Sequence, residues 1–313
     1  MEREPAWLLG HHLKFHYYSS GRGGGAADVV PIDEYHATPG ALFEVDDEAW
    51  LTLIEKEGAP RYYEEKEVLV VGQDGTIHQA TTFTICERRQ KPNFVCPTDE
   101  YQGLIRTGLE DRNLPTFGLD QAMVHRFDSP TINHLFIYGT LMTGQVRHRH
   151  LKPFILSKSN AQTRGVLHHL GTYPGMRMGD GIVHGELIHI SDVEACLERM
   201  DGIEGFLGFG RDDSLFDRTI IQVQSDSGTV WAWAYVYSDH VGDESIINGL
   251  GNQGCESDDV CGVSKSICSQ ADAGVAYSTL KAYVNQGAYP LFFCGEPIEE
   301  PSCIPFRQGE FTG

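Results

Sequence analysis

Long apolar runs and basic surface charge are both scarce in this sequence of 313 residues. No stretch approaches about eighteen uninterrupted apolar residues, so we expect no membrane span. The first residues, "MEREPAWLLGHH", place acids beside bases without a long apolar core, which does not fit a signal peptide. The net charge of -20 argues against nucleic acid or an anionic membrane as a partner, because counterion release requires a basic surface. We therefore expect a cytoplasmic protein.

Paired metal-binding motifs are also missing. None of the eight cysteines forms a C-x-x-C pair, which argues against a zinc ribbon. Five cysteines fall in the last part of the chain, where disulfides remain an open alternative: Cys255, Cys261, Cys268, Cys294 and Cys303. The histidines cluster as "HHLKFH", "RHRH" and "HH", but adjacent residues on a strand face opposite ways. We predict no metal, and a metal-dependent hydrolase remains an alternative.

The sequence "GLGNQG" at residues 249–254 matches the glycine pattern of a dinucleotide-binding loop. No predicted strand precedes it, and the acidic stretch "CESDDV" that follows would repel phosphate. We therefore predict no cofactor.

The sequence contains an internal repeat. Residues 40–58 read "GALFEVDDEAWLTLIEKEG", and residues 185–205 read "GELIHISDVEACLERMDGIEG". Each copy predicts an alternating strand and then a short helix that ends on Glu-Gly. Asp46 is predicted to cap the first helix, and Ser191 with Glu194 predicts a capping box on the second.

Two further strands joined by a glycine turn follow each Glu-Gly, which predicts a β-hairpin in each copy. The chain length also favours more than one domain. We predict two related domains, residues 1–126 and 127–240, that pair within the chain. Residues 241–313 are predicted to be an acidic, glycine-rich segment with a C-terminal extension that docks on the rest.

A carboxylate at the end of a helix can point into a cleft, where apolar walls raise its pKa and make it a base near neutral pH. A solvated acid is the more common outcome, but two copies in matched positions favour the base. The sequence Tyr138, Gly139, Thr140, Leu141 follows the apolar run "HLFI". A strand that ends in Gly-Thr leaves amides free for an anion or a developing oxyanion. A base opposite such amides suits an intramolecular acyl transfer.

The order of motifs over residues 134–238 resembles the gamma-glutamylcyclotransferase superfamily, and within it the gamma-glutamylamine cyclotransferases and AIG2-like proteins. The motifs are "FIYGTL", "GQVRHRHL", "YPGM", "VHGEL", "MDGIEGF", "FDRTIIQV" and "WAWAYVY". The resemblance implies an α+β fold in which each domain is a small mixed β-barrel with flanking helices. It also implies that Tyr138, Gly139, Thr140 and Leu141 bind the gamma-glutamyl group and that Glu204 is the catalytic acid/base. Arg147 lies soon after this loop on a predicted helix, where it could meet either a substrate carboxylate or solvent. Phe216 stands where relatives often have tyrosine, so we expect it to influence substrate choice.

The first half resembles gamma-glutamylcyclotransferase proper through "GALFEV", "LIEKEGAPRYY" and "CPTDEYQGLIRTGLEDRNLP". This resemblance places Glu57 at the catalytic-glutamate position of a second candidate site. The opening strand of the family, with its Tyr-Gly-Ser loop, has no counterpart before Trp7. The first domain is therefore predicted to be degenerate, or to be completed by residues 290–295, where residues 291–295 resemble the missing strand.

The resemblance predicts an enzyme that acts on a small gamma-glutamyl substrate, for example in glutathione metabolism. It would cyclise the gamma-glutamyl group to 5-oxoproline and release an amine, amino acid or conjugate. The alternative from another class is a binding or scaffold protein that has kept the fold without the chemistry.

Overall fold

The computed structural model describes residues 3–238 and 283–284. The strands of the first half are β1 Arg3–Leu9, β2 His11–Ser19, β3 Gly24–Pro31, β4 Ala37–Phe43, β5 Tyr63–Val71 and β6 Ile77–Ile85. Its helices are α1 Asp47–Glu57, α2 Asp99–Glu110 and α3 Phe117–Met123. The second half contains β7 His134–Ile137, α4 His148–Leu151, β8 Ile155–His169, β9 Pro174–Ile190, α5 Val193–Glu204, β10 Phe216–Ser225 and β11 Gly228–Tyr237. The last described strand is β12, Tyr283–Val284.

These elements form a mixed α+β fold, as predicted. In the second half the strands close into a barrel in the order β10-β11-β7-β9-β8. Strand β7 lies parallel to β11 and antiparallel to β9, so it joins these two strands in the barrel. Gly185 of β9 lies so close to β7 that a side chain is excluded, because a Cβ there would lie 2.2 Å from the carbonyl oxygen of Ile137.

The first half differs from the predicted barrel. Its described strands form an open five-stranded sheet, β12-β6-β5-β1-β4, and β2 pairs separately with β3. Closure of this sheet into a barrel is not shown within the described residues, because its edges β4 and β12 contact each other without a hydrogen-bonded ladder between them.

The two sheets nevertheless share one strand order. Read from β7, the barrel runs β7-β11-β10-β8-β9, and the first sheet runs β12-β6-β5-β1-β4. Strand β12 lies parallel to β6, as β7 lies parallel to β11, and β12 also contacts β4. The C-terminal strand thus has the sheet position that β7 has in the barrel. The residues predicted to fill this position, 290–295, lie outside the described residues, as do most of residues 241–313.

Both predicted hairpins are confirmed. Strand β5 pairs antiparallel with β6, and β10 pairs antiparallel with β11. The helix that precedes each hairpin ends on a left-handed glycine, Gly58 at φ 66° and Gly205 at φ 70°. These glycines let the chain leave the helix directly after a glutamate.

The N-terminal cap was predicted correctly for α1 but not for α5. The side chain of Asp46 accepts a hydrogen bond from the Ala49 amide at 2.8 Å, so the predicted cap of α1 is confirmed. The capping box built on Ser191 is wrong, because Asp192 caps α5 and accepts from the Ala195 amide at 3.1 Å. The Ser191 hydroxyl instead donates to the carbonyl oxygen of Phe154.

The two halves are joined by buried polar and aromatic contacts. The fully buried guanidinium of Arg218, on β10, donates to the backbone oxygen of Glu34 in the first half at 2.9 Å. Trp7 of β1 meets Trp231 of β11 edge to face, with ring centroids 5.6 Å apart. Trp231 and Trp233 are both buried. Within the described residues, no helix is long and apolar enough to cross a membrane.

Candidate active site

Glu204 is the last residue of α5 and lies inside the protein rather than at its surface. Only 8% of the residue is exposed. Burial disfavours the charged carboxylate and raises the pKa of Glu204 to about 7, while the positive charge of Arg147 acts in the opposite direction. A carboxyl group with this pKa can accept and return a proton near neutral pH.

The 138–141 loop lies between β7 and α4. Residues Gly139–Leu141 form a single 3₁₀ turn, and Gly139 has the left-handed φ of 70°. A Cβ on Gly139 would lie 2.4 Å from Cγ of Pro174, so a side chain is excluded there by both conformation and space. The amides of Gly139 and Thr140 open the turn, and such amides find no acceptor within it. That these amides hold an anion or an oxyanion stays a prediction.

The start of the loop is held by the Tyr138 hydroxyl. It donates to the backbone oxygen of Tyr235 at 2.7 Å and accepts from the Met176 amide at 3.0 Å. The phenol thereby ties β7 to β11 and β9 at one point. Burial raises the pKa of Tyr138, so this hydroxyl keeps its proton and its donor role.

The end of the loop is held by the chain that follows it. The Arg147 amide donates to the carbonyl oxygen of Thr140 at 3.0 Å, and Nδ1 of His148 donates to that of Leu141 at 3.0 Å. Next to the loop, the amide of Thr143 donates to the Glu186 carboxylate at 2.9 Å. Both ends of the turn are thus fixed by hydrogen bonds.

Glu204 and the loop line one cleft of about 360 Å³, a volume that includes its open mouth. The lining residues are Phe136, Ile137, Tyr138, Thr140, Leu141, Arg147, Tyr173, Pro174, Glu204, Phe216 and Tyr235. All predicted site residues of the second half either line this cleft or, for Gly139, form the turn at its edge.

Phe216 contributes an apolar surface to this cleft, and Arg147 contributes a positive charge. Phe216 is buried, and its ring lies 6.2 Å from that of Tyr173 and 5.5 Å from that of Tyr237, so it forms an apolar wall. The guanidinium of Arg147 lies 5.8 Å from the ring centroid of Tyr173 and brings a positive charge to the cleft.

Glu57, the second candidate acid/base, lies elsewhere. It ends α1 in the first half and is 5% exposed. It is not among the residues that line the cleft of Glu204. The two glutamates thus share a local setting, a helix end before a left-handed glycine, without sharing a site.

A buried polar network behind Glu204 was missed by sequence reasoning. Asp201 accepts from Arg218 at 2.6 Å and from the hydroxyl of Tyr235 at 2.6 Å. Burial raises the pKa of Asp201 to about 6, while Arg218 lowers it. Asp201 precedes Glu204 by about one helical turn in the same "DGIE" stretch, which is the one local signal for its involvement. No local sequence pattern distinguishes Arg218 from the other residues of strand β10 or indicates its bond to Asp201.

Within residues 3–238 and 283–284, no group of three or more His, Cys, Asp or Glu side chains is placed to hold a metal ion. The candidate site therefore consists of one carboxyl group, backbone donors, one guanidinium and aromatic walls.

Comparisons with known proteins found similarity over parts of this chain. A family model described as gamma-glutamyl cyclotransferase, AIG2-like, matches residues 135–250. Among solved structures, an AIG2-like protein from Mus musculus has 24% identity and a TM-score of 0.31, covering 36% of this chain and 82% of that one. The YkqA protein from Bacillus subtilis has 17% identity and a TM-score of 0.34, covering 75% of this chain and 74% of that one.

Two curated relatives each align with about a third of the chain. A gamma-L-glutamyl-butirosin B gamma-glutamyl cyclotransferase from Niallia circulans is 38% identical over 106 residues, which are 34% of this chain and 67% of the relative. A gamma-glutamylcyclotransferase family protein from Citrobacter rodentium is 32% identical over 103 residues, 33% of this chain and 80% of the relative. The chain therefore belongs to the AIG2-like gamma-glutamyl cyclotransferase family.

Proposed function

We propose that this protein cyclises the gamma-glutamyl group of a small molecule to 5-oxoproline and releases the attached amine. The observation that carries the proposal is the buried Glu204, with a pKa of about 7, in the same cleft as the 138–141 loop. A proton acceptor and a set of backbone donors around one small cavity are the two parts that such a reaction needs.

In the proposed reaction the alpha-amine of the substrate attacks its own gamma-carbonyl carbon. Glu204 takes a proton from the attacking nitrogen, and the carbonyl oxygen becomes an oxyanion held by amides of the loop. The bond from the gamma-carbon to the leaving nitrogen then breaks, and Glu204 returns the proton to that nitrogen. No water is consumed. Because the attack is intramolecular and closes a five-membered ring, positioning supplies much of the rate.

Arg147 and Phe216 would determine how the substrate lies. The chain carries a net charge of -20, so a substrate carboxylate needs a local cation to hold it. Arg147 supplies that cation among the described lining residues. Phe216, with Tyr173, would face the apolar part of the substrate.

The leaving group is proposed to be an amine. The relative from Niallia circulans is named for gamma-L-glutamyl-butirosin B, and it is 38% identical to this chain over the matched residues. We infer that this chain likewise acts on a gamma-glutamyl conjugate rather than on a macromolecule. Glutathione-related peptides form the second substrate class to be compared in the assay.

The proposal is tested by incubating the protein with gamma-glutamyl amines and gamma-glutamyl amino acids and measuring 5-oxoproline. The matched pair of variants is Glu204→Gln, which removes the base, and Glu198→Gln, which makes the same change at an exposed position of α5. We expect product from the parent and from Glu198→Gln, and a loss of about 100-fold or more in Glu204→Gln. Absence of product from every substrate would favour the binding or scaffold alternative.

We also propose that the two halves are related domains and that the first is a permuted copy without activity. The support is the shared strand order, in which β12 has the position of β7. The same assay tests it with Glu57→Gln. A parental rate in this variant is the expected result, and a rate reduced to the level of Glu204→Gln would show that Glu57 takes part in catalysis.

A further inference from the structure

Glu186 lies on β9, beside the 138–141 loop but outside the lining of the catalytic cleft. Its backbone stands opposite Ile137, the last residue of β7, in the antiparallel pairing of these two strands. Only 8% of the residue is exposed, and it is not among the residues that line the cleft of Glu204. Burial of a charged group is costly unless the charge is paired and hydrogen-bonded, so the partners of this carboxyl group indicate its role.

The main partner of the Glu186 carboxylate is Thr143. The Thr143 amide donates to Oε2 of Glu186 at 2.9 Å, and the Thr143 hydroxyl donates to the same oxygen at 3.0 Å. Because Thr143 follows Leu141 by two residues, these bonds fix the chain where it leaves the loop. The pairing of Glu186 with Ile137 fixes the chain where it enters the loop. One residue of β9 thus holds the chain on both sides of the loop.

Lys158 contributes a cation from the neighbouring strand β8. Its Nζ donates to the hydroxyl oxygen of Thr143 and lies 3.4 Å from Oε1 of Glu186. An ammonium group can only donate, so the Thr143 hydroxyl accepts from Lys158 and its own proton is left for Glu186. The three side chains therefore form one connected set of hydrogen bonds at the end of the loop.

Glu186 differs from Glu204 in its ionisation. Burial acts to raise the pKa of Glu186, but the hydrogen bonds from Thr143 and the charge of Lys158 outweigh burial and hold the pKa below its ordinary value. Glu186 therefore stays ionised in the range where Glu204, with a pKa of about 7, exchanges its proton. A carboxylate that stays ionised outside the cleft lining does not serve as a second base, so its contribution is to hold the chain.

The geometry of the turn at Gly139–Leu141 depends on the residues that follow it. The Met142 amide donates to the carbonyl oxygen of Gly139 at 3.1 Å, and Thr143 is the next residue along the chain. A displacement of Thr143 therefore reaches the turn through one peptide unit. Misplacing the groups around a reacting atom by about 1 Å can reduce the rate by about 100-fold.

We propose that Glu186 is a positioning residue, which holds the 138–141 loop in the geometry that the reaction requires by binding Thr143. The inference rests on the proposed cyclisation, in which amides of the loop hold the oxyanion. Glu186 acts through Thr143, and its loss leaves Arg147 and Phe216 in place. It should therefore affect the chemical step more than the binding of substrate.

The test measures kcat and KM for 5-oxoproline formation from a gamma-glutamyl amine by the full chain. Glu186→Leu removes the acceptor for Thr143, so we expect kcat to fall about tenfold or more while KM changes less than about threefold. Glu186→Gln keeps one acceptor oxygen and should recover part of kcat. A parental kcat in Glu186→Leu, or a change confined to KM, would overturn the proposal.

Two matched threonine variants separate positioning from a general loss of stability. Thr143→Val removes the hydroxyl that donates to Glu186. Thr163→Val removes a hydroxyl that donates to the carbonyl oxygen of Gln222 at 2.7 Å, away from the residues that line the cleft. We expect kcat to fall about threefold or more in Thr143→Val and to stay parental in Thr163→Val, and this pair decides if Glu186→Leu does not fold. Equal kcat values in the two, or a further loss when Thr143→Val is added to Glu186→Leu, would contradict action through Thr143.

Hydrogen exchange of backbone amides gives a readout that does not need the reaction. The amides of Met142 and Arg147 donate to carbonyl oxygens of the loop at 3.1 and 3.0 Å. They should exchange about tenfold or more faster in Glu186→Leu than in the parent, and at the parental rate in Thr163→Val. A parent that forms no 5-oxoproline would contradict the proposed function, and exchange then decides the role of Glu186 alone. Unchanged exchange of both amides in Glu186→Leu would overturn that role.

Discussion

Glu204→Gln should gain stability relative to the parent protein as the pH rises from about 4.5 to 7, in spite of the loss of activity. Burial raises the pKa of Glu204 from 4.5 to about 7. This difference corresponds to about 3 kcal/mol that the folded state loses when the carboxyl group ionises there, at about 1.4 kcal/mol for each pH unit. Active-site residues commonly carry such a cost in stability.

The pH dependence follows from the direction of the shift. Below about pH 4.5 the carboxyl is protonated in both the folded and the unfolded state, so the free energy of unfolding is unaffected. As the pH rises to about 7, the unfolded state releases its proton first, and the parent protein loses up to about 3 kcal/mol. Glu204→Gln lacks this loss. The stability of the variant relative to the parent should therefore rise between pH 4.5 and 7 and stay level above that range.

Urea unfolding of both proteins from about pH 4 to pH 8 measures this difference. A buried glutamine also leaves N–H groups to satisfy, which shifts the whole curve by a constant of about 1–3 kcal/mol, so the change with pH is the diagnostic quantity. Glu198→Gln, at an exposed position of the same helix, should show no such rise. A relative stability of Glu204→Gln that is flat over this range, or that falls as the pH rises, would refute the reasoning.

Three further changes test the supports of the site. Gly139→Ala places a Cβ against Pro174 and adds a left-handed backbone strain of about 1–2 kcal/mol, so it should reduce 5-oxoproline formation at least about tenfold. Gly144→Ala carries the same backbone strain but has open space around its Cβ, so it should keep the parental rate. Arg218→Met should lower the unfolding free energy by about 3–5 kcal/mol in urea unfolding, because it leaves the Asp201 carboxylate unpaired, and adding Asp201→Asn should restore part of the loss. Tyr138→Phe removes two hydrogen bonds to the backbone and should lower the unfolding free energy by about 1–3 kcal/mol and raise KM. An Arg218→Met protein as stable as the parent, or a Gly139→Ala enzyme at parental rate, would contradict the assigned roles.

The features of the site that local sequence determines were predictable. Tyr138 and Gly139 mark the end of a strand and a left-handed step, and the Glu-Gly pairs mark two helix ends. The direction of the Glu204 shift also followed from placing a carboxyl group against apolar residues. Arg147 was expected near the loop because it follows Leu141 closely along the chain, with a substrate carboxylate or solvent as its partner, and it lines the cleft.

The features that depend on contacts between distant parts of the chain were not predictable. The bonds of Arg218 to Asp201 and to Glu34 join three separate elements, and no local pattern in β10 indicates them. The cap of α5 was misplaced because Ser191 and Asp192 are adjacent and both can cap a helix, and the tertiary bond of Ser191 to Phe154 decides between them. The resemblance suggested that a C-terminal segment completes the first sheet, but it did not indicate that Tyr283–Val284 pairs with β6.

The central claim is that Glu204 is a proton acceptor with a pKa near neutrality, acting on a substrate held beside the 138–141 loop. The pH profile of kcat/KM for 5-oxoproline release from a gamma-glutamyl amine tests it most directly. The account predicts a rate that is level above about pH 7 and falls about tenfold for each pH unit below it, with Glu204→Gln slow at every pH. A profile of the parent that stays level down to about pH 5, or a Glu204→Gln variant that follows the parent curve, would contradict it.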